Sequence, residues 1–552
     1  MTDASAVDPV TLEVLRHAFE GVAEEMGATL IHGAYSPNIT ERQDCSTALF
    51  DADGRMVAQA EHIPVHLGAM PEAVTAVREH DPAPGDVFVL NDPFAGGTHL
   101  PDVTLVSPLA HDDDVLGYAV SRAHHADVGG STPGSMPAGA REIHEEGLRI
   151  PPIRLVASGE RREAVFDLLF ANARNPAERR ADIAAQLAAN RRAGKRLGDL
   201  IDEHGRERVE RGFDAVIAYS RERMQTAIDG LPNGTYGATD VLEGDGITET
   251  DIPIQTAVTV DGESLTVDFA GTADQVEGNL NAPLAVAKSA VYFVVRCVTD
   301  PEIPPNHGCY APVSVRVPDG SLLDPNPPAA VGGGNVETSQ RVTDVVLAAL
   351  AEAAPDRVTA GGQGTMNNLT IGSRGDGAAV DDHDGERKHD ARHGPFTYYE
   401  TIGGGFGARP GADGMDGVHV GMTNTLNTPV ETLEAAYPLE VERYALRPGS
   451  GGDGRYRGGL GIERAVRTLT DATVSLLTER RRHPPAGVAG GEPGALGENL
   501  IDGEPVPSKT TREVTAGTTV VVRTPGGGGY GDPDERDPDA AAVDRTDGKH
   551  EE

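Results

Sequence analysis

The chain has 552 residues, too many for one ordinary core, so two to four packed units are expected. Its 47 basic and 86 acidic residues give a net charge of −39 with no offsetting basic stripe, which argues against nucleic acid as a partner. No apolar run is long enough to span a bilayer and the start M-T-D-A-S-A-V-D lacks the order of a signal peptide, so a cytoplasmic protein with no membrane partner is expected.

Lysine occurs at only five positions, 195, 288, 388, 509 and 549. An acidic, lysine-poor surface suits a high-salt cytoplasm, where screening removes most self-repulsion, and predicts a halophilic origin. Cys45, Cys297 and Cys309 are an odd number without close pairing and read as buried apolar thiols.

In chain order, a D-P start followed by Leu12, Leu15, Phe19, Val22, Met26 and Leu30 at helical spacing predicts an amphipathic helix over 8–31. The stretch S-P-N-I-T-E-R-Q-D-C-S-T-A-L-F-D at 36–51 predicts a polar loop entering a buried strand, with Glu41, Arg42 and Asp44 at its entrance. His62 and His66 precede a short helix and are candidates to join a nearby site. G-D-V-F-V-L at 85–90 reads as a buried strand that delivers Asn91 and Asp92.

The stretch from Asn91 to Asp127 carries the chemistry. N-D-P-F-A-G-G-T-H-L-P-D at 91–102 leads into a strand, an acidic tip at 112–114 and a return strand ending R-A-H-H-A-D at 122–127. An antiparallel hairpin brings His99 and His124 to one end of the sheet, with Asp102, His125 and Asp127 close by. Two imidazoles with one or two carboxylates suit a catalytic Zn, Mn or Fe ion that keeps a position open. The Gly-rich loop 129–141 reads as a lid, and Glu145 or Glu146 beyond it as a general base.

An Ala-, Arg- and Glu-rich helical region spans 166–232, and from Gly234 short alternating strands begin, with helices at 282–298 and 337–353. G-G-G-N at 332–335 has the look of a phosphate cradle, but no G-x-x-x-x-G-K-[ST] occurs, so tight packing is the stronger reading. Residues 374–394, with His383, His389 and His393, read as an acidic surface insertion. The part from 395 to 533 is Gly-rich and mostly β, with E-R-R-R-H at 479–483 either neutralising carboxylates or meeting a bound anion; 534–552 is expected to be a disordered tail.

Taken as a set, N-D-P-F-A-G-G-T-H-L-P-D, R-A-H-H-A-D-V-G-G-S-T-P-G, E-E-G-L-R-I-P-P, G-G-G-N-V-E-T-S-Q-R, E-T-I-G-G-G-F-G-A and T-P-G-G-G-G-Y-G-D-P closely resemble the hydantoinase B / oxoprolinase family, over about residues 8–533. That family includes N-methylhydantoinase B subunits, the C-terminal part of 5-oxoprolinase and the acetone carboxylase alpha subunit. The resemblance implies ATP-dependent opening of a small cyclic amide, with ATP handled by a separate hydantoinase A type subunit. It also implies a divalent metal, manganese in the carboxylase relatives, whose two His, one Asp and one Glu look like His99, Asp102, His124 and Glu41, with Asp44 competing for the last place. Glu41, Asp44, His125, Asp127 and Glu146 are then the candidate catalytic groups, and Asn91, Asp92 and His66 line the substrate or brace the ligands. A carboxylase alpha subunit and a non-catalytic scaffold for the ATPase are the rival readings.

The expected fold is α+β and multi-layered: an N-terminal metal-site unit (1–165), the helical region (166–232), a middle α+β unit (233–373), the insertion and the Gly-rich C-terminal unit (395–533).

Overall fold

The computed structural model describes residues 7–373 and 395–550. The insertion expected at 374–394 lies outside the described residues, and so do its three histidines.

A seven-stranded antiparallel sheet carries the N-terminal third, in the order β2-β1-β5-β4-β3-β6-β7. Its strands are β1 (Cys45–Asp51), β2 (Met56–Glu61), β3 (Val87–Leu90), β4 (Asp102–His111), β5 (Asp114–His124), β6 (Ile153–Ala157) and β7 (Glu160–Arg161). Every residue of β1 is buried because the sheet is covered on both faces. Cys45 and Leu49 face a core shared with the helices Pro9–Gly33 and Pro176–His204, whereas Ala48 and Phe50 face the middle part of the chain.

The predicted first helix forms as Pro9–Gly33, because Asp8 accepts from the amides of Val10 and Thr11 and Pro9 starts the first turn. The helical region is two long helices, Pro176–His204 and Arg206–Asp229, broken at Gly205, whose φ of 82° only glycine takes readily. A four-stranded sheet follows (Gly234–Leu242, Ile252–Asp261, Ser264–Asp268 and Val313–Arg316), and the helices Leu284–Val298 and Ser339–Leu350 pack with it in one core.

Two further sheets build the C-terminal part. Strand Asn368–Ser373, placed with the middle unit in the sequence, pairs with Phe396–Glu400 and Ala472–Leu477 of the C-terminal part. Beside these sheets, glycine-rich segments lie backbone against backbone: the amide of Gly459 donates to Phe406 O (2.8 Å), that of Gly527 to Gly459 O (2.9 Å) and that of Ala408 to Gly528 O (2.9 Å). A Cβ on Gly527 would sit 2.1 Å from Phe406 O, so the segments approach this closely only because Gly527 has no side chain.

Three expectations are corrected. Within the described part of the tail, 534–550, a helix Pro538–Thr546 is capped by Asp537; Asp544 is buried beside Arg536, and Arg536 also pairs with Asp413 at 2.9 Å. The loop 129–141 is no lid: Ser135, Met136, Ala138 and Ala140 are buried. Cys297 is exposed, whereas Cys45 and Cys309 are buried. The basic run at 479–483 meets carboxylates of the chain, Arg480 bonding Asp240 and Asp344, and Glu243 accepting the amides of Arg481, Arg482 and His483. No helix among the described residues is long and apolar enough to cross a membrane.

Candidate metal centre

The hairpin register sets the centre. Asp102, first in β4, pairs with His124, last in β5, and His99 lies one turn before Asp102 in the 91–101 loop. Asn91 fixes that loop: its amide nitrogen donates to Leu100 O (2.8 Å) and Leu148 O (3.0 Å), while its oxygen accepts from Ile150 N (2.7 Å). Asp92 accepts the Phe94 amide and pairs with Arg149, closing the same turn, and neither Asn91 nor Asp92 lines the cavity around the ligand groups.

His99 Nε2 and His124 Nδ1 are 3.2 Å apart and lie 2.9 and 3.1 Å from Asp102 Oδ1. All three residues are buried. Nitrogen ligands about 2.0–2.1 Å from a tetrahedral ion stand roughly 3.3 Å apart, so the donor types and their separation fit a divalent cation. Burial opposes charge on Asp102, yet His99, His124 and His66 outweigh it and hold the carboxyl well below its usual range. Burial likewise opposes protonation of His99, and Asp102 overrides it.

The groups behind these three fix their orientation. Asp102 Oδ2 accepts from Thr98 Oγ (2.9 Å) and from Asn335 Nδ2 (3.3 Å), and lies 3.4 Å from His66 Nε2, whose other nitrogen is 2.9 Å from Ser46 Oγ. His99 Nδ1 faces Gly332 O at 3.4 Å, leaving Nε2 for the centre. Glu146 accepts from the amides of Val331 (3.1 Å) and Gly332 (2.9 Å), and burial pushes its carboxyl up to about 7. It braces the peptide behind His99 and lies outside the cavity.

Of the two carboxylates competing for the fourth place, the structure puts one in the cavity. Asp44, 8% exposed, lines it, and its carboxylate makes no hydrogen bond among the described residues. Glu41, half-buried at the end of the short helix Pro37–Thr40, does not line it.

His125 and Asp127 do not join the centre. Successive strand residues face opposite ways, so His125 turns to Gln186 Oε1 (3.0 Å), and burial lowers it to about 4. Asp127 holds the amides of Gly129 and Gly134 and pairs with Arg174 at 2.9 Å. Both line a second, mostly apolar cavity under the helix Pro176–His204.

The remaining walls were missed in the sequence. Asn335, Val336, Met366, Tyr399, Thr401, Thr423 and Thr425 close the cavity to about 20 Å³, room for an ion with little else. The G-G-G-N motif did mark Asn335, but its glycines serve packing: a Cβ on Gly334 would lie 1.9 Å from Asn281 O.

The Hydantoinase B/oxoprolinase family profile matches residues 8–533. An uncharacterised protein of Methanocaldococcus jannaschii is 40% identical over 96% of this chain and 92% of its own. The 5-oxoprolinase 1 of Arabidopsis thaliana is 39% identical over 96% of this chain, which spans only 42% of that longer protein. The crystal structure of an ATP-dependent caprolactamase from Pseudomonas jessenii superposes with a TM-score of 0.88 at 30% identity, covering 99% of this chain and 95% of that one.

Proposed function

Because the chain belongs to the hydantoinase B/oxoprolinase family, we propose that it is the ring-opening subunit of an ATP-dependent cyclic-amide hydrolase. Its substrate is 5-oxoproline, an N-methylhydantoin or a related lactam or imide. The Arabidopsis relative carries the matched stretch within a longer chain, and a separate hydantoinase A type subunit would supply the ATP-binding part here. The missing phosphate-loop lysine fits that division, and ATP consumption fits a cytoplasmic setting.

The observation that carries the reading is the buried triplet His99, Asp102 and His124 with the unbonded Asp44 carboxylate beside it. These four residues would hold the divalent ion, Asp44 taking the place that the resemblance gave to Glu41. When bound, such an ion polarises a carbonyl or lowers the pKa of a water. The chain's own groups prepare the site. Thr98, Asn335 and His66 lock Asp102, Gly332 fixes the His99 ring, and Tyr399 walls off solvent.

The test is co-expression with a hydantoinase A type subunit, followed by ATP-dependent turnover of 5-oxoproline, hydantoins and caprolactam with metal analysis. Stoichiometric metal and ring opening that both vanish in His99→Ala and His124→Ala are expected. Full turnover by a metal-free His99→Ala protein would sink the assignment.

A further inference from the structure

Arg42 is 1% exposed, and its guanidinium meets only neutral groups: Tyr399 O at 2.6 Å, Thr401 Oγ at 2.7 Å and Thr425 Oγ at 3.2 Å, with the Tyr399 ring 5.2 Å away. It forms no ion pair among the described residues, although a buried cation without a counter-charge is costly. In a chain of net charge −39, such an arginine is an unusual expense. The buried arginines Arg341, Arg457 and Arg464 each have a carboxylate; Arg122, equally buried, bonds only Thr104 Oγ and Gly96 O among the described residues, but neither of those partners lines the cavity of the metal centre, as the partners of Arg42 do.

Its position gives the reason. Thr401 and Thr425 line the cavity that holds His99, Asp102 and His124, and their oxygens are 2.8 Å apart. Because Arg42 donates to both oxygens, their hydroxyl protons are free to point elsewhere. Thr425 Oγ also lies 3.2 Å from His419 Nε2; with that nitrogen donating, the Thr425 proton goes to Thr401, and the Thr401 proton can be given to a ligand. With a divalent ion bound, the two carboxylates Asp44 and Asp102 leave the enclosure one positive charge in excess once Arg42 is counted.

We propose that Arg42, acting through the Thr401 and Thr425 hydroxyls, forms an oxyanion subsite on the wall facing the metal centre. Its ligand is the phosphoryl group of an ATP-activated amide, or a carboxylate that the amide itself carries. The cavity of about 20 Å³ is too small for either, so the wall has to yield. The stretch bearing Thr423 and Thr425 has neither helix nor strand, and it is tied to the same arginine, Leu426 N donating to Arg42 O at 3.2 Å. An anion drawn to Arg42 therefore enters where the wall is held by the residue that recognises it. This inference rests on the reading of the cavity as the reaction site.

The test reads binding and needs no turnover. Inorganic phosphate, acetate and 5-oxoproline are titrated by calorimetry into the metal-loaded protein, wild type and Thr401→Val, which leaves Arg42 Nη2 the Thr425 acceptor and should fold even where Arg42→Met does not. Metal content and melting temperature are checked in parallel. Phosphate affinity at least tenfold weaker in Thr401→Val, with metal content unchanged, supports a phosphoryl subsite; the same loss for acetate and 5-oxoproline alone supports the carboxylate source. Equal affinity of every probe for both proteins overturns the subsite. Since neither ATP nor a partner is present, failure of the hydrolase reading would appear separately, as absent turnover with anion binding intact.

Discussion

The imidazole of His124 stacks on the phenol ring of Tyr399 with centroids 4.7 Å apart and planes inclined by 21°. A ring from the C-terminal sheet thus rests on a residue of the N-terminal one. Tyr399 is itself anchored, its hydroxyl donating to Asn368 Oδ1 at 2.8 Å while Asn368 Nδ2 donates to Glu337 Oε1 at 2.8 Å. Aromatic pairs contribute about 0.5–1.5 kcal/mol beyond their buried area. Tyr399→Leu should keep the fold and weaken metal binding by loosening His124, whereas Tyr399→Phe should retain most of the affinity. Competition titration with a chelator measures both, and equal affinity in all three proteins would remove Tyr399 from the positioning of His124.

The assignment of Asp44 over Glu41 makes a sharp contrast. Asp44→Asn keeps the shape and removes a charge from the cavity, so metal affinity should fall at least tenfold. Glu41→Gln changes a half-buried group outside the cavity and should leave metal content as it is. Loss of metal in Glu41→Gln with none in Asp44→Asn would reverse the choice.

How much of this was readable in the residues depends on distance along the chain. His99, Asp102 and His124 were legible because a hairpin with a turn at 112–114 has one natural register, and that register pairs Asp102 with His124. Strand alternation also implied that His125 must face away from His124, a signal present in the sequence and left unused. Met366, Tyr399 and Thr425 were not legible, because they arrive from segments whose approach depends on packing between sheets rather than on local pattern. Glu146 was misread because a carboxylate next to a site looks the same in sequence whether it faces substrate or peptide amides. The tail helix did announce itself in the D-P at 537–538, a cap followed by a first-turn proline.

The glycine bundle predicts intolerance to the smallest side chain. Gly527→Ala would place a methyl 2.1 Å from Phe406 O, and the contact is backbone, which cannot swing aside. The cost should reach about 1–3 kcal/mol or more. Gly503→Ala, whose Cβ would meet nothing within 4 Å, tests the separate effect of a positive φ. Denaturant midpoints give both, and a Gly527→Ala protein as stable as wild type would contradict the packing.

Charge predicts salt dependence. At −39 the acidic surface repels itself, and the Debye length grows from roughly 3 Å at 1 M salt to about 10 Å at 0.1 M. The melting temperature should therefore fall steadily on dilution from molar salt. A melting temperature independent of salt over that range would remove the inference of a halophilic origin.

Glu337 predicts a dependence on pH with a definite sign. It is fully buried, and Oε1 accepts from Met366 N (3.0 Å) and Asn368 Nδ2 (2.8 Å) while Oε2 has no partner. Burial, with Glu479 nearby, raises its pKa from 4.5 to about 7. The folded protein therefore holds a proton that the unfolded chain has released between those values. Stability from this group is unaffected below about pH 4.5, declines as pH rises toward 7, and is reduced by a constant amount above it. Glu337→Gln keeps an acceptor at Oε1 and cannot ionise. Its stability relative to wild type should rise by on the order of 3 kcal/mol from pH 4.5 to pH 8. Denaturant unfolding across that range decides the matter: a variant that runs parallel to wild type would mean that Glu337 keeps its ordinary carboxylate pKa in the fold.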